Sequence, residues 1–155
     1  MTLDFSEFKN KKIIVTGSST GIGFETGVEF LNLGANVIFH GNKSIADLEA
    51  RIKTKSQSKN FKIFKSDFTN LFQVDNFMNN AINYLNGLDI LVNNAGTMVG
   101  RYQLETISEK DFLKIFDLNA KSAYFATKSA CTIFKKQNYG NIINVSTISA
   151  RTGGS

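Results

Sequence analysis

A short apolar run, Ile13-Ile14-Val15, leads straight into Thr16-Gly17-Ser18-Ser19-Thr20-Gly21-Ile22-Gly23, and the glycines there, spaced four and two apart, restrict the fold more than any other feature. Gly17 lets the chain turn sharply off a strand, Gly21 lets the backbone approach a pyrophosphate, and Gly23 lets the following helix pack tightly on the sheet. A helix opening here aims its free N–H groups and the positive end of its dipole at an anion. Ser18, Ser19 and Thr20 add hydroxyls small enough to bond phosphate oxygens without crowding them, and Ile22 completes the cradle. The spacing is T-G-x-x-x-G-x-G, not the G-x-G-x-x-G of the commoner dinucleotide fold, and no Gly-Lys-Ser/Thr follows, which excludes a P-loop. A glycine turn of purely structural purpose is the competing explanation. The order of the segments downstream decides against it.

The helix that starts at the glycines is expected to run to about residue 33 and stop at Gly34, which takes the left-handed conformation freely. A strand over 36–40 follows, then a helix over 44–55 with Ile45, Leu48 and Ile52 at spacings of three and four and Ser44 as its N-cap. Residues 61–65 alternate like a strand and end at Ser66-Asp67-Phe68, while 71–85 place Leu71, Val74, Phe77, Met78, Ile82 and Leu85 on one helical stripe. Residues 88–92 form a continuous apolar run, as a strand buried on both faces does, and a long helix over 108–136 leads to a fifth strand over 141–145. Strands alternating with helices at this interval form right-handed βαβ units. The chain is therefore expected to be one α/β domain over residues 1–155, a Rossmann-like, doubly wound parallel sheet in the order 3-2-1-4-5. In such a sheet a ligand lies at the carboxyl ends of the strands, which gathers residues 17–23, 40–43, 67–68 and 93–96 along one crevice.

Composition narrows the partners. No apolar run approaches the roughly 20 residues that cross a bilayer, and Asp4 and Glu7 near the N-terminus are unlike a signal peptide, which points to a soluble, cytoplasmic protein with no membrane partner. Cys131, the only cysteine, has no internal disulfide partner and reads as a small core residue of a helix. The formal charge of +5 raises the question of nucleic acid, but the lysines are scattered in short clusters within 9–12, 53–59 and 135–136, at element ends, as on solvated faces. Nucleic acid is not an expected partner.

At Leu91-Val92-Asn93-Asn94-Ala95-Gly96 the sequence resembles the single-domain branch of the short-chain dehydrogenases/reductases. The matching features occur in family order: the Thr16 to Gly23 motif, Asp67 after the third strand, Asn-Asn-Ala-Gly after the fourth, Asn119 in the next helix and Asn144-Val145-Ser146-Thr147 after the fifth. The likeness spans essentially the whole chain, and the beta-ketoacyl-ACP reductases and related carbonyl reductases resemble it most. It implies a nicotinamide dinucleotide bound by Gly17, Ser18, Ser19, Thr20, Gly21, Ile22, Gly23, Asn42, Lys43, Asp67, Phe68, Asn94, Ala95 and Gly96, with no metal. It implies hydride transfer between nicotinamide and the carbonyl or alcohol group of a small molecule. The helix over 108–136 resembles the family's dimer-forming helix, so the full-length form is expected to be a homo-oligomer. Phe112, Ile115, Phe116, Ala123, Phe125, Ala126, Ala130 and Ile133 on that helix cover more than one stripe, which calls for a second covering surface.

In the family a tyrosine transfers the proton, and a nearby lysine lowers its pKa from the usual value near 10, too high for an efficient base at neutral pH. A serine orients the carbonyl oxygen and an asparagine holds a relay water. By resemblance Asn119 takes the asparagine's place and Thr147 the serine's, with Ser146 and Ser149 as neighbouring alternatives. The family's Tyr-x-x-x-Lys acid/base unit lies roughly a dozen residues beyond the serine position. That is past Ser155, so the chain is expected to be a C-terminally truncated form without the unit, its fifth strand left as an apolar edge and its stability marginal. Tyr124 and Lys128 have the right spacing and share a helical face, but they precede the fifth strand and read as helix packing with a solvated lysine. The turn Phe39-His40-Gly41-Asn42-Lys43 holds no acid for the ribose hydroxyls of NAD, and Lys43 with His40 suits a 2′-phosphate, which favours NADP over NAD; a capped histidine at the strand end is the alternative reading of His40. The alternative in another functional class is a non-catalytic nucleotide-binding or interaction module.

Overall fold

Five strands, β1 (Lys12–Val15), β2 (Asn36–Gly41), β3 (Phe61–Lys65), β4 (Ile90–Asn93) and β5 (Asn141–Asn144), pair in parallel in the order β3-β2-β1-β4-β5 in the computed structural model, which describes residues 4–42 and 45–152. Because side chains alternate along a strand, the sheet sorts its apolar residues into two layers. Ile13, Val15, Val37, Phe39, Ile90 and Val92 pack with α1 (Gly21–Asn32) and α2 (Leu48–Lys55). Ile14, Ile38 and Leu91 face α3 (Leu71–Leu85) and, beyond the short α4 (Glu109–Phe116), the longer α5 (Ser122–Gln137). The register keeps the layers in phase: Ile13 lies opposite Val37 and Ile90, and Ile14 opposite Ile38 and Leu91. A slip of one residue would turn each layer into the other.

Local chemistry sets the element ends. Gly34, at φ +87°, follows α1 as expected. The Asn70 side chain accepts from the amides of Phe72 and Gln73 to cap α3, which closes at Asn86 in the left-handed conformation. Gly27 brings α1 onto the sheet: a Cβ there would lie 2.5 Å from the Phe39 ring. Gly23, expected to do this, instead leaves its space to the Asn94 side chain.

Three expected elements differ. The second helix begins at Leu48 with Asp47 at its N-cap, because Ile45 packs against the α1–α2 cluster ahead of the helix; Ser44 lies outside the described residues. The fourth strand begins at Ile90, since Asp89 is taken up in accepting the Lys12 amide on its carboxylate at 2.7 Å. The long helix is interrupted between α4 and α5 by a π turn at Asp117–Lys121, where Asn119 donates to the Ile115 carbonyl one turn back at 2.8 Å and Lys121 pairs with Asp117. After β5 a single helical turn α6 (Ser149–Thr152) forms; residues 153–155 lie outside the described part. Cys131 is half-buried on α5.

Among the described residues, apolar side chains stay uncovered on α4 and at the β5 edge. On α5, Ala126 and Ala130 are fully buried against α3, but Phe112 and Phe116 of α4 stack on each other and are each 53% exposed. β5 is a sheet edge, with Ile143 and Val145 exposed. The buried interior, by contrast, contains a titratable ring: His40 of β2 is stacked on Phe68 and meets the edge of Phe77. Desolvation pushes its imidazole down to about 4, against the opposing pull of the Ser66 carbonyl and the Asp67 charge.

Gly27→Ala should cost about 1–3 kcal/mol through overpacking against Phe39, read by urea denaturation. The exposed apolar surfaces should make the chain self-associate, and Phe112→Ser combined with Phe116→Ser should shift its size-exclusion elution toward the monomer. His40 takes up its proton more readily unfolded, near 6.5, than folded, so its contribution is complete above about pH 6.5 and is lost as pH falls toward about 4. The loss should be about 3 kcal/mol, seen as the difference between wild-type and His40→Asn stability curves over that window.

Candidate functional site

The loops that leave the carboxyl ends of the strands are knitted together by buried hydrogen bonds. Thr16, 2% exposed, accepts on its hydroxyl from the amides of Asn94 (3.0 Å) and Ala95 (2.9 Å) and donates to the Val92 carbonyl. Asn94 returns the contact, its side-chain amide donating to the carbonyls of Thr16 (2.9 Å) and Gly17 (3.0 Å). Gly17 sits at φ +62° and a Cβ on it would lie 2.7 Å from the Ala95 Cα, so the loops meet backbone to backbone. Gly21, at φ +59°, has open space where its Cβ would be, with nothing within 4 Å. Thr20, the N-cap of α1, makes no side-chain cap bond. The first amides of α1 therefore keep no partner from the cap. Thr20, Gly21 and Ile22 are exposed and Ser19 is half-buried.

Several expected ligands turn inward. The Ser18 hydroxyl is fully buried, donating to the Val15 carbonyl at 2.7 Å and accepting the His40 amide at 2.8 Å, so it is a structural link and not a phosphate ligand. His40 is not placed to meet a 2′-phosphate: it is 3% exposed and both ring nitrogens are engaged. The Gly17 amide donates to Nδ1 at 2.9 Å, which leaves the proton on Nε2 to be donated to the Ser66 carbonyl at 3.1 Å. Phe68 lies beneath that ring, 1% exposed, and belongs to the core rather than to a ligand surface. Asn42 is exposed and donates to the Asp67 carboxylate at 3.3 Å, which also accepts from the amide and hydroxyl of Thr69. Lys43 lies outside the described residues.

Toward β5 the crevice widens into a cleft of about 660 Å³ walled by Asn94, Gly96, Asn119, Tyr124, Thr127, Ser146 and Thr147, among others. The Asn119 carboxamide is spent on its neighbours: it donates to the carbonyls of Thr97 and Ile115 at 2.8 Å and accepts the Thr97 amide at 3.1 Å. Gly96 is small because a Cβ would come 2.7 Å from the Asn119 Oδ1. Thr147 is exposed and its hydroxyl accepts the Ser149 amide at 3.2 Å. Ser146 shares the cleft wall, whereas Ser149 is not part of it. Tyr124, expected to stand away from the crevice as helix packing, is 68% exposed and on the cleft wall, but Lys128 sits over the Phe125 ring, 5.5 Å from its centre.

Three residues at the site escaped sequence reasoning as functional. Thr16 is the hub of the loop knot, and its signal was present: a hydroxyl directly after an apolar strand. Asn93 donates to Thr127 and Asn144, and its own Oδ1 is buried without a partner among the described residues; a polar residue closing an apolar strand marks it. Arg51 of α2 donates to the Ser19 carbonyl at 2.6 Å and lies over the Phe24 ring, and nothing local in the sequence announces that.

The sequence matches the family described as short chain dehydrogenase over residues 11–155. It is 32% identical over 142 residues to the probable NADP-dependent mannitol dehydrogenase of Yarrowia lipolytica, covering 91% of this chain and 51% of that protein. It is 32% identical over 152 residues to a sorbose reductase of Schizosaccharomyces pombe, covering 96% and 59%. The crystal structure of NADH-dependent reductase A1-R′ complexed with NAD is similar with a TM-score of 0.88 at 30% identity, covering 98% of this chain and 65% of that one. The chain thus spans little more than half the length of the curated relatives named here. With the glycine cradle, the Asn94 knot and the sheet order all agreeing with the match over residues 11–155, the chain belongs to the short-chain dehydrogenase family.

Proposed function

We propose that the protein is an oxidoreductase whose cradle binds a nicotinamide dinucleotide, NADP in preference to NAD, and whose wider cleft receives the carbonyl or alcohol group of a small molecule. The single observation that carries this is the open space at Gly21 beside the uncapped start of α1. That combination presents backbone N–H groups and a positive dipole end to an anion, with room for it to come close. The residues fit the group: the amides of Gly21, Ile22 and Gly23 with the hydroxyls of Ser19 and Thr20 would hold the pyrophosphate, Asn42, Lys43 and Asp67 the adenosine end, and Asn94, Ala95 and Gly96 the reach toward the cleft. When bound, a nicotinamide dinucleotide supplies or accepts the hydride.

The chain's own residues orient the other reactant. The Thr147 hydroxyl, at the cleft wall beside Ser146, is assigned the role of bonding the substrate oxygen. Asn119 acts one step back, tying residues 96–97 to the π turn and so fixing the wall opposite. Proton transfer needs a tyrosine whose pKa is drawn down by a neighbouring cation. Lys128, the cation one helical turn from Tyr124, is turned instead onto the Phe125 ring, 5.5 Å from its centre. These 155 residues are proposed to bind the dinucleotide without turning it over, because the Lys128 ammonium lies on Phe125 rather than with Tyr124. The preference for NADP rests on the absence of an acid from the turn at 39–43, and on a relative named as NADP-dependent.

Fluorescence titration should show NADPH binding tighter than NADH. Gly21→Val should weaken both by at least about tenfold, close to 1.4 kcal/mol, and Lys43→Glu should weaken NADPH more than NADH. No oxidation of NADPH should accompany a panel of ketones and beta-ketoacyl esters. Turnover that Tyr124→Phe alone abolishes would overturn the assignment, as would equal loss of both nucleotides with Lys43→Glu.

A further inference from the structure

We infer that His40 is the positioning residue of the glycine cradle: its neutral imidazole holds the Gly17 amide and thereby decides which backbone donors the loop presents to a dinucleotide. The inference rests on the proposal that the cradle binds one.

His40 and the loop share three hydrogen bonds. The Gly17 amide donates to Nδ1 at 2.9 Å, the Ser18 amide to the His40 carbonyl at 2.8 Å, and the His40 amide to the Ser18 hydroxyl at 2.8 Å. On its far side the ring donates from Nε2 to the Ser66 carbonyl at 3.1 Å and stacks on Phe68 with centroids 4.0 Å apart. One side chain thus bridges the loop after β1 and the loop after β3, on which Gly21 and Asp67 lie, from the end of β2 that leads to Asn42. Both nitrogens are committed, so only one protonation state and one tautomer satisfies the set.

The arrangement partitions the loop's donors. With the amides of Gly17 and Ser18 turned onto residue 40, the loop's donors for an incoming anion are those from Ser19 onward, into the start of α1. Gly17 is held at φ +62° against the Ala95 backbone, where small rotations have no room. Were Nδ1 not to accept, the Gly17 N–H would be a half-buried donor without a partner, and the loop would have to turn to satisfy it. Such a turn moves Gly21, which follows four residues on.

Two near-isosteres separate positioning from mere packing. Asn carries a carboxamide oxygen near the Nδ1 position and can accept from Gly17; Gln reaches instead to the Nε2 position and can donate to Ser66. In the 155-residue chain, His40→Gln should weaken NADPH binding by at least about tenfold, while His40→Asn should stay within about threefold of wild type. In the nucleotide-free protein, nitrogen-15 spectra should show the ring as the Nε2–H tautomer. Hydrogen exchange at the Gly17 amide should be protected in wild type and His40→Asn and unprotected in His40→Gln. Wild-type NADPH affinity in His40→Gln, or an Nδ1–H tautomer, overturns the role; so does equal weakening in both variants, which would make the ring only a packing element. If the wild-type chain binds neither NADPH nor NADH, the dinucleotide proposal falls and this role with it, whereas binding by wild type and His40→Gln alike removes this role alone.

Discussion

The exchange of hydrogen bonds between Thr16 and Asn94 is the interaction on which the crevice depends. It sits where β1, flanked by β2 on one side and β4 on the other, sends its loop toward one neighbour while the chain from β4 leaves toward the next helix. Neighbouring loops diverge at such a point and leave a gap between them. Two loops that separate need something to fix their spacing, and here a buried hydroxyl and a carboxamide do so through backbone groups that would otherwise be unpaired. The glycines are the steric counterpart: Gly17 and Gly23 are bare because Ala95 and the Asn94 side chain occupy their space.

Much of this architecture was legible in the residues because it follows from periodicity. The helix at 71–85 appears with those limits, its stripe of Val74, Phe77, Met78, Ile82 and Leu85 buried as spaced, and the strand order is the expected one. The less legible features are those in which a side chain at the end of a strand chooses between the crevice and the interior. Ser18, His40 and Phe68 all lie in segments that the topology brings to the crevice, yet all point inward: the Ser18 hydroxyl donates to the Val15 carbonyl, the His40 ring bonds Gly17 and Ser66, and the Phe68 ring stacks on His40. Periodicity says which face a residue occupies within an element; it says nothing once the element has ended.

A second kind of illegibility concerns function carried at one remove. Asn119 was singled out through resemblance as a holder of water, but its carboxamide meets the backbone of Thr97 and Ile115. Its influence on the cleft passes through the loop it anchors. Arg51 likewise acts on the cradle through the Ser19 carbonyl. Long-range side-chain to backbone bonds of this sort leave no spacing signature, since the partners are 22 and 32 residues apart.

The π turn at Asp117–Lys121 has a geometric consequence for the helices it joins. Each residue advances an α-helix by about 100°, so a single widened turn shifts the angular phase of everything after it by a comparable amount. The apolar side of α4, marked by Phe112 and Phe116, is thereby out of phase with the side of α5 on which Ala126 and Ala130 meet α3. The helical path thus turns one apolar side toward α3 and leaves the other, that of Phe112 and Phe116, at the surface. Asn119 lies at that joint, its side chain donating back to the Ile115 carbonyl, so a substitution there falls on the junction of the two halves and on neither apolar surface.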